Sequence, residues 1–509
     1  MEKRILLASA LSLLILLGYQ AVVGKHAPVQ QPKTVALPQQ EMSNLILSPS
    51  AQLQKPNPAI DRIPLESRYL ETPKLKVVFS NLGGKITEVW FKDYGAKFFV
   101  QADFEQANTA ELPFQFVPAG PGEILLSFSD GERKIAKRFK VQGDYFFSVE
   151  MDVLATSGSP AEISCFNINS AELDKDPHWQ RDKLFAESAI SLADKVLRKN
   201  ISQLTNKTFS EQSAVNWLGF RDKYFCALFK PEGKATGYFL RSGVDKNISA
   251  GLTLAPTATL KGTLYFGPQD STILASAQAG LEQVVNFGFF DPISRFILKL
   301  LVFMHSLVPN WGICLIGLSC IIFLVLYPLT LKSMNSMRQM QQLQPKIDAL
   351  KKQYQSDPQK LNKEIMELYR EYKINPFGGC LPLFLQIPIF FALYQALMRS
   401  VALKGSSFLW IKDLSEPDRL AIFPSAIPFI GNELNLLPII MAITMFFQQK
   451  LSSKSMPGAD PQQQKMMLIL MPVLFGVMFY RFPSGLGLYW VMYSLFSLFF
   501  QWKKNTAKA

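Results

Sequence analysis

The sequence is poor in cysteine, histidine and acidic residues. Among 509 residues there are five cysteines, three histidines and 40 acidic side chains against 53 basic ones. An odd number of cysteines excludes a framework in which every cysteine is paired, although Cys165 and Cys226 fall in a soluble region and could pair with each other. No cluster of His, Cys, Asp or Glu has the spacing of a metal site, and no glycine-rich phosphate loop is present. We therefore expect no catalytic residues, no metal and no cofactor, and the chain is not predicted to be an enzyme.

Long apolar runs without charge occupy much of the second half of the chain. The run from Ile313 to Leu331 contains 19 residues and no Asp, Glu, Lys, Arg or His. That length crosses a hydrocarbon layer of ~30 Å as a helix. Comparable runs predict a membrane anchor over 1–24, a span over 311–331 and four further spans within 376–502. The expected fold class is a polytopic α-helical membrane protein with six spans.

Basic residues gather beside these apolar runs. The net charge of +13 could indicate a nucleic-acid partner, but this distribution is the one that anionic lipids and the positive-inside rule favour. We therefore expect anionic lipids as partners and no recognition of nucleic-acid sequence. The Lys and Arg content of the short loops predicts that both termini, the loop 450–465 and the basic tail 503–509 are cytoplasmic. Residues 25–285 and the loop 399–433 are then on the other side.

A soluble region separates the anchor from the second span. Residues 25–67 are rich in proline and glutamine and indicate an extended tether. Residues 68–285 contain β-branched and aromatic runs separated by turn residues, which predicts an all-β sandwich closed by a helix over 271–285. Residues 286–310 have apolar side chains at helical spacing, which favours an amphipathic interfacial helix, with a core helix of the preceding domain as the alternative. The β runs are LKVVFSN, GKITEVWFKDY, EILLSFSD, YFFSVEMDVLA, YFCALFK, ATGYFLR and KGTLYFG.

Residues 332–375 combine methionines and basic residues with apolar positions repeated every three or four residues. The pattern predicts a cytoplasmic hairpin of two antiparallel amphipathic helices, in which Asp357 caps the second helix and Pro358 occupies its first position. A solvated loop is the alternative. Flexible methionines adapt to varied apolar partners and basic side chains attract polyanions, so we expect a capture surface here. Its residues are Met334, Met337, Arg338, Met340, Lys346, Lys351 and Lys352.

Seven short motifs follow one another after residue 288. They are NWG at 310–312, YPLT at 327–330, LQPK at 343–346, NPFGGCLPLFLQIPIFFALY at 375–394, TMFFQQK at 444–450, QQQKMM at 462–467 and FPSGLGLYW at 482–490. In these segments the chain resembles the YidC/Oxa/Alb family of membrane-protein insertases. The resemblance implies five spans around a hydrophilic groove that opens to the cytoplasm and to lipid and is closed outward. It also implies that Ser319, Gln386, Tyr489 and Trp490 line this groove, since polar side chains in spans usually face protein or water.

One position departs from the family pattern. The family usually has an arginine in the second span, four residues before the Tyr-Pro pair, and this chain has Phe323 there. The departure implies a groove without its usual cation. Arg481, in the turn between the last two spans, could supply positive charge from the outer end, or it could be an interfacial arginine that reaches lipid headgroups.

The N-terminal anchor, the tether and the large β domain resemble the Gram-negative form of the family. The resemblance therefore implies a protein of the cell inner membrane whose β domain is periplasmic. It implies that the protein inserts nascent integral membrane proteins and helps them fold, alone or with the SecYEG translocon. The implied partners are nascent membrane proteins, SecYEG and the ribosome.

Two other functions are compatible with a chain of this composition. A secondary transporter would carry ionisable residues inside its spans and a repeat between its halves, and the sequence has neither. A cell-surface protein could bind a glycan or another envelope component through its β domain. A single span would suffice to anchor such a protein, so the motifs in the other spans would have no explanation.

Overall fold

The computed structural model describes residues 64–506 apart from short breaks. The breaks are 107–108, 131–133, 153–160, 170–172, 175–182, 194, 202–203, 205–206, 234, 243–246, 255–258, 278–279, 356, 375–380, 428–430 and 454–460. The predicted anchor and nearly all of the predicted tether lie outside the described residues. The described chain divides into two compact units, one formed by 342–375 and the other by the remaining residues.

The first part of the chain forms two antiparallel sheets of nine strands each among the described residues. The predicted all-β sandwich is confirmed. The strands are β1 (Ser67–Glu71), β2 (Leu75–Ser80), β3 (Lys85–Phe91), β4 (Ala96–Phe98), β5 (Gln101–Gln106), β6 (Gln115–Val117), β7 (Glu123–Ser129), β8 (Lys134–Val141), β9 (Phe146–Asp152), β10 (Ala161–Asn169), β11 (Glu187–Leu192), β12 (Val196–Asn200), β13 (Thr208–Glu211), β14 (Val215–Arg221), β15 (Phe225–Pro231), β16 (Gly237–Ser242), β17 (Asn247–Leu254) and β18 (Thr259–Pro268).

The strand order in each sheet is far from the chain order. The first sheet runs β1-β2-β3-β5-β10-β17-β16-β13, with β4 paired to β3, and the second runs β12-β11-β14-β15-β18-β9-β8-β7-β6. Aromatic side chains join the two sheets. Phe91 of the first sheet stacks on Phe225 of the second with ring centroids 4.0 Å apart, and Phe104 meets Phe229 edge-on at 4.8 Å. Such contacts place the alternating apolar residues of both sheets in one core.

All seven predicted β runs form strands, namely β2, β3, β7, β9, β15, β16 and β18. The sequence analysis did not predict the other eleven of these eighteen strands. One of them is β8, whose inward-facing positions are Ile135, Lys137 and Phe139, so that the lysine conceals the alternation. Lys137 is completely buried. Its ammonium donates to the carbonyls of Gly83 (2.7 Å) and Asp103 (3.0 Å), so it links the second sheet to the first.

The ammonium of Lys137 titrates at an unusual pH. Burial lowers its pKa from 10.5 to about 8, while the carboxylates of Asp103 and Glu105 oppose this shift. The unfolded chain therefore binds more protons than the folded one between those two pH values. This group makes the free energy of unfolding rise with pH across that interval, by about 3 kcal/mol, and contributes no change below it.

We expect Lys137→Met to abolish that alkaline rise in stability. The measurement is the thermal unfolding midpoint of the purified protein at several pH values from neutral to strongly alkaline. Lys140→Met is the matched control, because Lys140 lies on the same strand and is exposed. An identical pH profile for wild type and Lys137→Met would contradict the assignment.

Cys165 and Cys226 do not pair. Both are free thiols, buried in β10 of the first sheet and β15 of the second. Burial raises the pKa of both thiols well above its ordinary value, so they behave as small apolar core residues.

The predicted helix over 271–285 is wrong in its extent. The structure has a short helix, α1 (Ser271–Ala277), and then a single 3₁₀ turn at Leu281–Val284. Gly280 lies before this turn with φ of +100°, a left-handed conformation that a continuous helix cannot contain. The chain therefore changes direction here and enters the helical part of the molecule.

The helix predicted within 286–310 is α2 (Asp291–Leu307), with Pro292 in its first turn. Ser294, Ile297 and Leu301 are buried, whereas Phe296 is 67% exposed. The Ser294 hydroxyl donates to the Ala392 carbonyl at 2.9 Å. The helix therefore packs on a later helix through one narrow face and leaves part of its predicted apolar stripe uncovered, as an interfacial position requires.

Seven further helices follow α2 in the described residues. They are α3 (Trp311–Gln342), α4 (Gln344–Gln353), α5 (Pro358–Glu371), α6 (Leu381–Arg399), α7 (Leu436–Ser453), α8 (Pro461–Met478) and α9 (Ser484–Thr506). Within the described part of the chain, one helix is both long and apolar enough to cross a membrane, over Trp311–Met340. Shorter apolar helices occupy Phe384–Arg399, Leu436–Leu451 and Leu468–Arg481. The predicted set of six spans stays a prediction.

The predicted boundary between a span over 311–331 and a hairpin over 332–375 does not coincide with a helix end. Helix α3 continues through Gln342, and the next helix starts at Gln344 with Pro345 in its first turn, a position that proline favours. Helices α4 and α5 then form the hairpin. The predicted cap is confirmed, because the Asp357 carboxylate accepts a hydrogen bond from the Lys360 backbone N–H at 3.1 Å and Pro358 lies in the first turn.

Candidate functional site

Gln386 of α6 and Tyr489 of α9 meet inside the helical core. The Gln386 side-chain amide donates to the Tyr489 hydroxyl at 2.5 Å, and both side chains are buried. The other polar atom of the amide, Oε1 of Gln386, is buried without a partner among the described residues. Leaving a buried polar atom without a hydrogen bond costs about 1–3 kcal/mol of free energy. Binding of a water molecule or of a polar group from another chain at this site is therefore favourable.

Ser319, about two turns along α3 from its start, has no exposed surface. Its hydroxyl donates to the Leu315 carbonyl of the same helix at 2.7 Å. This bond satisfies the hydroxyl proton and leaves only the oxygen lone pairs for another group.

Phe323 lies one turn further along α3 and is only 2% exposed. Four aromatic rings surround it. The centroids of Tyr327, Tyr493, Phe496 and Phe500 lie 5.6, 5.7, 6.2 and 5.2 Å from that of Phe323. The position at which the family usually has an arginine is therefore filled here by an aromatic cluster that joins α3 to α9.

Trp490 follows Tyr489 on α9 and faces a different neighbour. Its ring lies 5.7 Å from Phe390, 5.9 Å from Phe475 and 5.5 Å from Phe479, measured between centroids. The side chain is half-buried. Trp490 thus links α6, α8 and α9, while Tyr489 carries the polar contact.

The sequence analysis missed a second polar set, towards the ends of α7 and α9. Gln448 of α7 and Gln501 of α9 both donate to the Ser497 hydroxyl at 3.0 Å. Thr444 and Ser494 are buried nearby on the same two helices. Their spacing of three or four residues was the available signal, since it places Thr444 with Gln448, and Ser494 with Ser497 and Gln501, on one face of each helix.

Charged side chains are scarce in this core. Among the described residues after 311, Asp418 is the one buried charged residue. Its carboxylate accepts hydrogen bonds from the Leu436 and Leu437 backbone N–H groups at 2.7 and 3.0 Å, which caps the start of α7. The absence of other buried charges in this described region is contrary to what a secondary transporter would need.

The loop that contains Asp418 closes one end of the helices. Its backbone also caps α9, because the Ser484 and Gly485 N–H groups donate to the carbonyls of Glu416 and Leu414 at 2.8 and 2.9 Å. A two-stranded hairpin missed by the sequence analysis follows, with strands β19 (Ala421–Ile427) and β20 (Gly431–Leu434). The end of the core at which α7 and α9 begin is thus covered by ordered chain.

Arg481 lies at this same end. It is exposed, and its guanidinium lies beside Gly431 in the turn of the β19–β20 hairpin. It is not among the side chains that surround Gln386 and Tyr489.

The predicted capture residues belong to two structural units. Met334, Arg338 and Met340 lie on α3 and are half-buried, and Met337 is on the same helix. Lys346, Lys351 and Lys352 lie on α4 and are exposed. The Lys346 ammonium donates to the hydroxyl of Tyr372, the residue that follows α5. This bond raises the pKa of Lys346 and links the two hairpin helices.

The sandwich is held against the helical part by polar contacts. Arg221, almost fully buried, pairs with Glu187 at 2.6 Å and donates to the Val284 carbonyl at 2.9 Å. Arg399, at the end of α6, donates to the Asn286 carbonyl at 2.6 Å. One of these arginines belongs to the sandwich and the other to the helical part, and both bind the segment that connects the two. They thereby attach the sandwich to the helices.

The Tyr224 hydroxyl forms a second link between the sandwich and the helical part. It lies 3.0 Å from the Ser415 hydroxyl, within the loop that caps α9. Lys223 approaches Glu416 of the same loop at 3.5 Å. The sandwich therefore touches the segment that closes the end of the helical core.

Comparison with known proteins identifies both halves of the chain. Residues 117–300 match the family model of the YidC periplasmic domain, and residues 303–508 match that of the 60Kd inner membrane protein. The membrane protein insertase YidC of Geobacter sulfurreducens is 34% identical over 99% of this chain and 98% of its own length. The protein of the same name from Geobacter metallireducens is 32% identical over 98% and 97%.

Among solved structures, an active YidC insertase with its first transmembrane domain resolved is 20% identical, with a TM-score of 0.40 over 85% of this chain and 91% of that one. The sequence relatives match from end to end and exceed 30% identity. The chain belongs to the YidC family of membrane protein insertases.

Proposed function

We propose that the protein inserts nascent membrane proteins into the membrane by offering their polar segments hydrogen bonds inside its helical core. As a member of the YidC family, it is a multi-pass protein of the inner membrane. The observation that carries the proposal is the Gln386–Tyr489 hydrogen bond together with the buried Oε1 of Gln386, which has no hydrogen-bond partner among the described residues. That acceptor can bind an N–H or O–H of a passing chain in a place where lipid offers none.

The step needs no covalent chemistry. A nascent span is itself stable in lipid, and the barrier lies in moving its polar tail across hydrocarbon. The Gln386–Tyr489 pair and the polar set of Gln448, Ser497 and Gln501 offer hydrogen bonds that replace some of those that such a tail loses with water. No full charge is required for this, because neutral hydrogen bonds already offset much of the desolvation cost.

The architecture that we propose for membrane-protein insertion has six spans. An anchor at 1–24 precedes the periplasmic sandwich, and α3, α6, α7, α8 and α9 form a five-span groove that is closed on the periplasmic side by the loop bearing Asp418. Both termini and the α4–α5 hairpin are cytoplasmic. Asp418 and the backbone caps on α9 support the closed outer end, since they bind that loop to the starts of α7 and α9. The SecYEG translocon, the ribosome and anionic lipids are the proposed partners.

Site-specific crosslinking tests this function. A photoreactive residue at position 490, which faces α6 and α8, is expected to crosslink to a stalled nascent membrane protein. The same probe at position 495 is the control, because Leu495 lies on the same helix and is exposed. Equal crosslinking from both positions, or none from position 490, would refute a substrate path past Tyr489 and Trp490.

Deleting residues 345–373 is expected to slow substrate capture severalfold and to leave the fold of the rest intact. The reason is that 342–375 is a compact unit of its own, so its loss removes the exposed lysines of α4 without opening the helical core. The readout is the rate of substrate binding to vesicles containing the purified protein, alongside its thermal unfolding midpoint. A matched variant, Lys351→Gln with Lys352→Gln, keeps the hairpin and removes charge alone. An unchanged capture rate in the deletion would rule out this role.

A further inference from the structure

Two apolar stripes run side by side on the outer surface of the helical part. On α7, Ile443 and Phe447 are 50% and 53% exposed, and on α9 Leu495 and Phe499 are 42% and 55% exposed. Each pair is four residues apart, which places its members on one face of the helix. The two helices lie against each other, as the hydrogen bond between Gln448 and Ser497 shows. Phe447 of one stripe and Leu495 and Phe499 of the other line the same cleft.

The stripes end in a cleft that is suited to a flexible apolar chain. Its volume is about 490 Å³ and its walls are almost entirely hydrocarbon. The lining residues are Phe447, Lys450, Leu451, Leu495, Leu498 and Phe499, with Trp502 at the same end.

The polar groups of the cleft all lie at one end. Lys450 is in the last turn of α7 and is exposed, and Trp502 is exposed near the end of α9. A tryptophan indole and lysine ammonium groups beside apolar surface are the pairing found at membrane–water boundaries. The cleft thus has an apolar body and a positively charged, amphipathic mouth.

We propose that this cleft binds an anionic diacyl phospholipid, with one acyl chain between Phe447 and Phe499 and the phosphate at Lys450. The apolar walls alone would not distinguish one lipid from another, because every acyl chain is equally apolar. The charge at the mouth provides the selection: it attracts an anionic headgroup and gains little from a zwitterionic one. The site is separate from the Gln386–Tyr489 pair and does not depend on the insertion activity.

Quenching of tryptophan fluorescence by brominated lipid tests this site, because bromine quenches an indole only on contact. The full-length protein is placed in bilayer vesicles containing brominated phosphatidylglycerol or brominated phosphatidylcholine with the same chains. The signal of Trp502 is obtained by subtracting that of Trp502→Phe, which removes the contribution of the other six tryptophans. We expect half-maximal quenching of Trp502 at a roughly fivefold lower fraction of phosphatidylglycerol. Equal quenching curves would mean ordinary surrounding lipid only and would overturn the proposal.

Charge and shape variants show whether the preference comes from the cleft. Lys450→Gln is expected to bring the two quenching curves together, whereas Lys363→Gln, an exposed lysine of the hairpin, should leave them apart. Leu495→Phe narrows the cleft and is expected to weaken phosphatidylglycerol quenching with the lysine still present. Retention of the full preference in Lys450→Gln, or an equal loss in Lys363→Gln, would contradict the proposed site.

Discussion

Replacing Gln386 by leucine and Tyr489 by phenylalanine together is expected to slow insertion of a substrate with a polar translocated tail by about tenfold or more. The pair supplies a buried hydrogen bond and an acceptor, Oε1 of Gln386, that has no partner among the described residues. Without them, a polar group of the tail loses a partner worth about 1–3 kcal/mol at this depth, and 1.4 kcal/mol corresponds to a factor of ten. The fold itself should tolerate the change, because removing both partners of a buried bond in favour of apolar groups of similar shape is nearly neutral.

The measurement is the insertion rate in vesicles that contain the purified double variant. Two substrates with the same span are compared, one with a polar uncharged tail and one with a tail shortened to a few residues. We expect the short-tailed substrate to insert almost normally. Leu324→Ala serves as the control variant because this residue of α3 is 53% exposed. If the double variant inserted both substrates at the wild-type rate, the pair would have no part in substrate passage.

Phe323→Ala is expected to lower the free energy of unfolding by about 3–5 kcal/mol, the usual cost of removing a buried phenylalanine ring. Phe323 is 2% exposed and touches four aromatic rings that join α3 to α9. The alanine would leave a cavity between α3 and α9. These helices could close the cavity only if α9 moved, together with its residue Tyr489. Thermal unfolding of the purified protein measures the effect, with Leu324→Ala again as the exposed neighbour. Equal midpoints for the two variants would show that the cluster does not hold the helices together.

Phe323→Arg separates the role of charge from that of packing. The family usually has an arginine at this position, and the sequence predicts that restoring it favours substrates with acidic tails. The structure adds a cost, since the guanidinium must displace aromatic rings. Asp418, the one buried carboxylate among the described residues after 311, already caps the start of α7. We therefore expect lower stability together with a higher ratio of acidic-tail to neutral-tail insertion. An unchanged ratio would show that the missing cation has no bearing on substrate preference.

The sequence predicted local structure well wherever one physical pattern was present. Seven alternating runs became strands, and Asp357 and Pro358 marked the start of α5, because alternation and capping depend on neighbours along the chain. Two of its failures occurred where two requirements met at one residue. Lys137 occupies an inward-facing position of β8 because its ammonium links the two sheets, so the strand lacks a clear alternation of apolar residues. Gly280 interrupts the helix although the apolar pattern continues past it.

The amino-acid sequence by itself determined the fold class, the soluble and apolar parts of the chain and the residues that resemble those of its family. Only the tertiary structure decided which of these residues lie in contact. Gln386 and Tyr489 are 103 positions apart, Asp418 caps a helix 18 positions later, and Tyr224 reaches Ser415 across 191 positions. Such contacts leave no periodic trace in a sequence, because their geometry depends on how helices and sheets pack. The same holds for Phe323: the sequence showed that a cation is missing there, and the packing of α3 on α9 determined that an aromatic cluster takes its place.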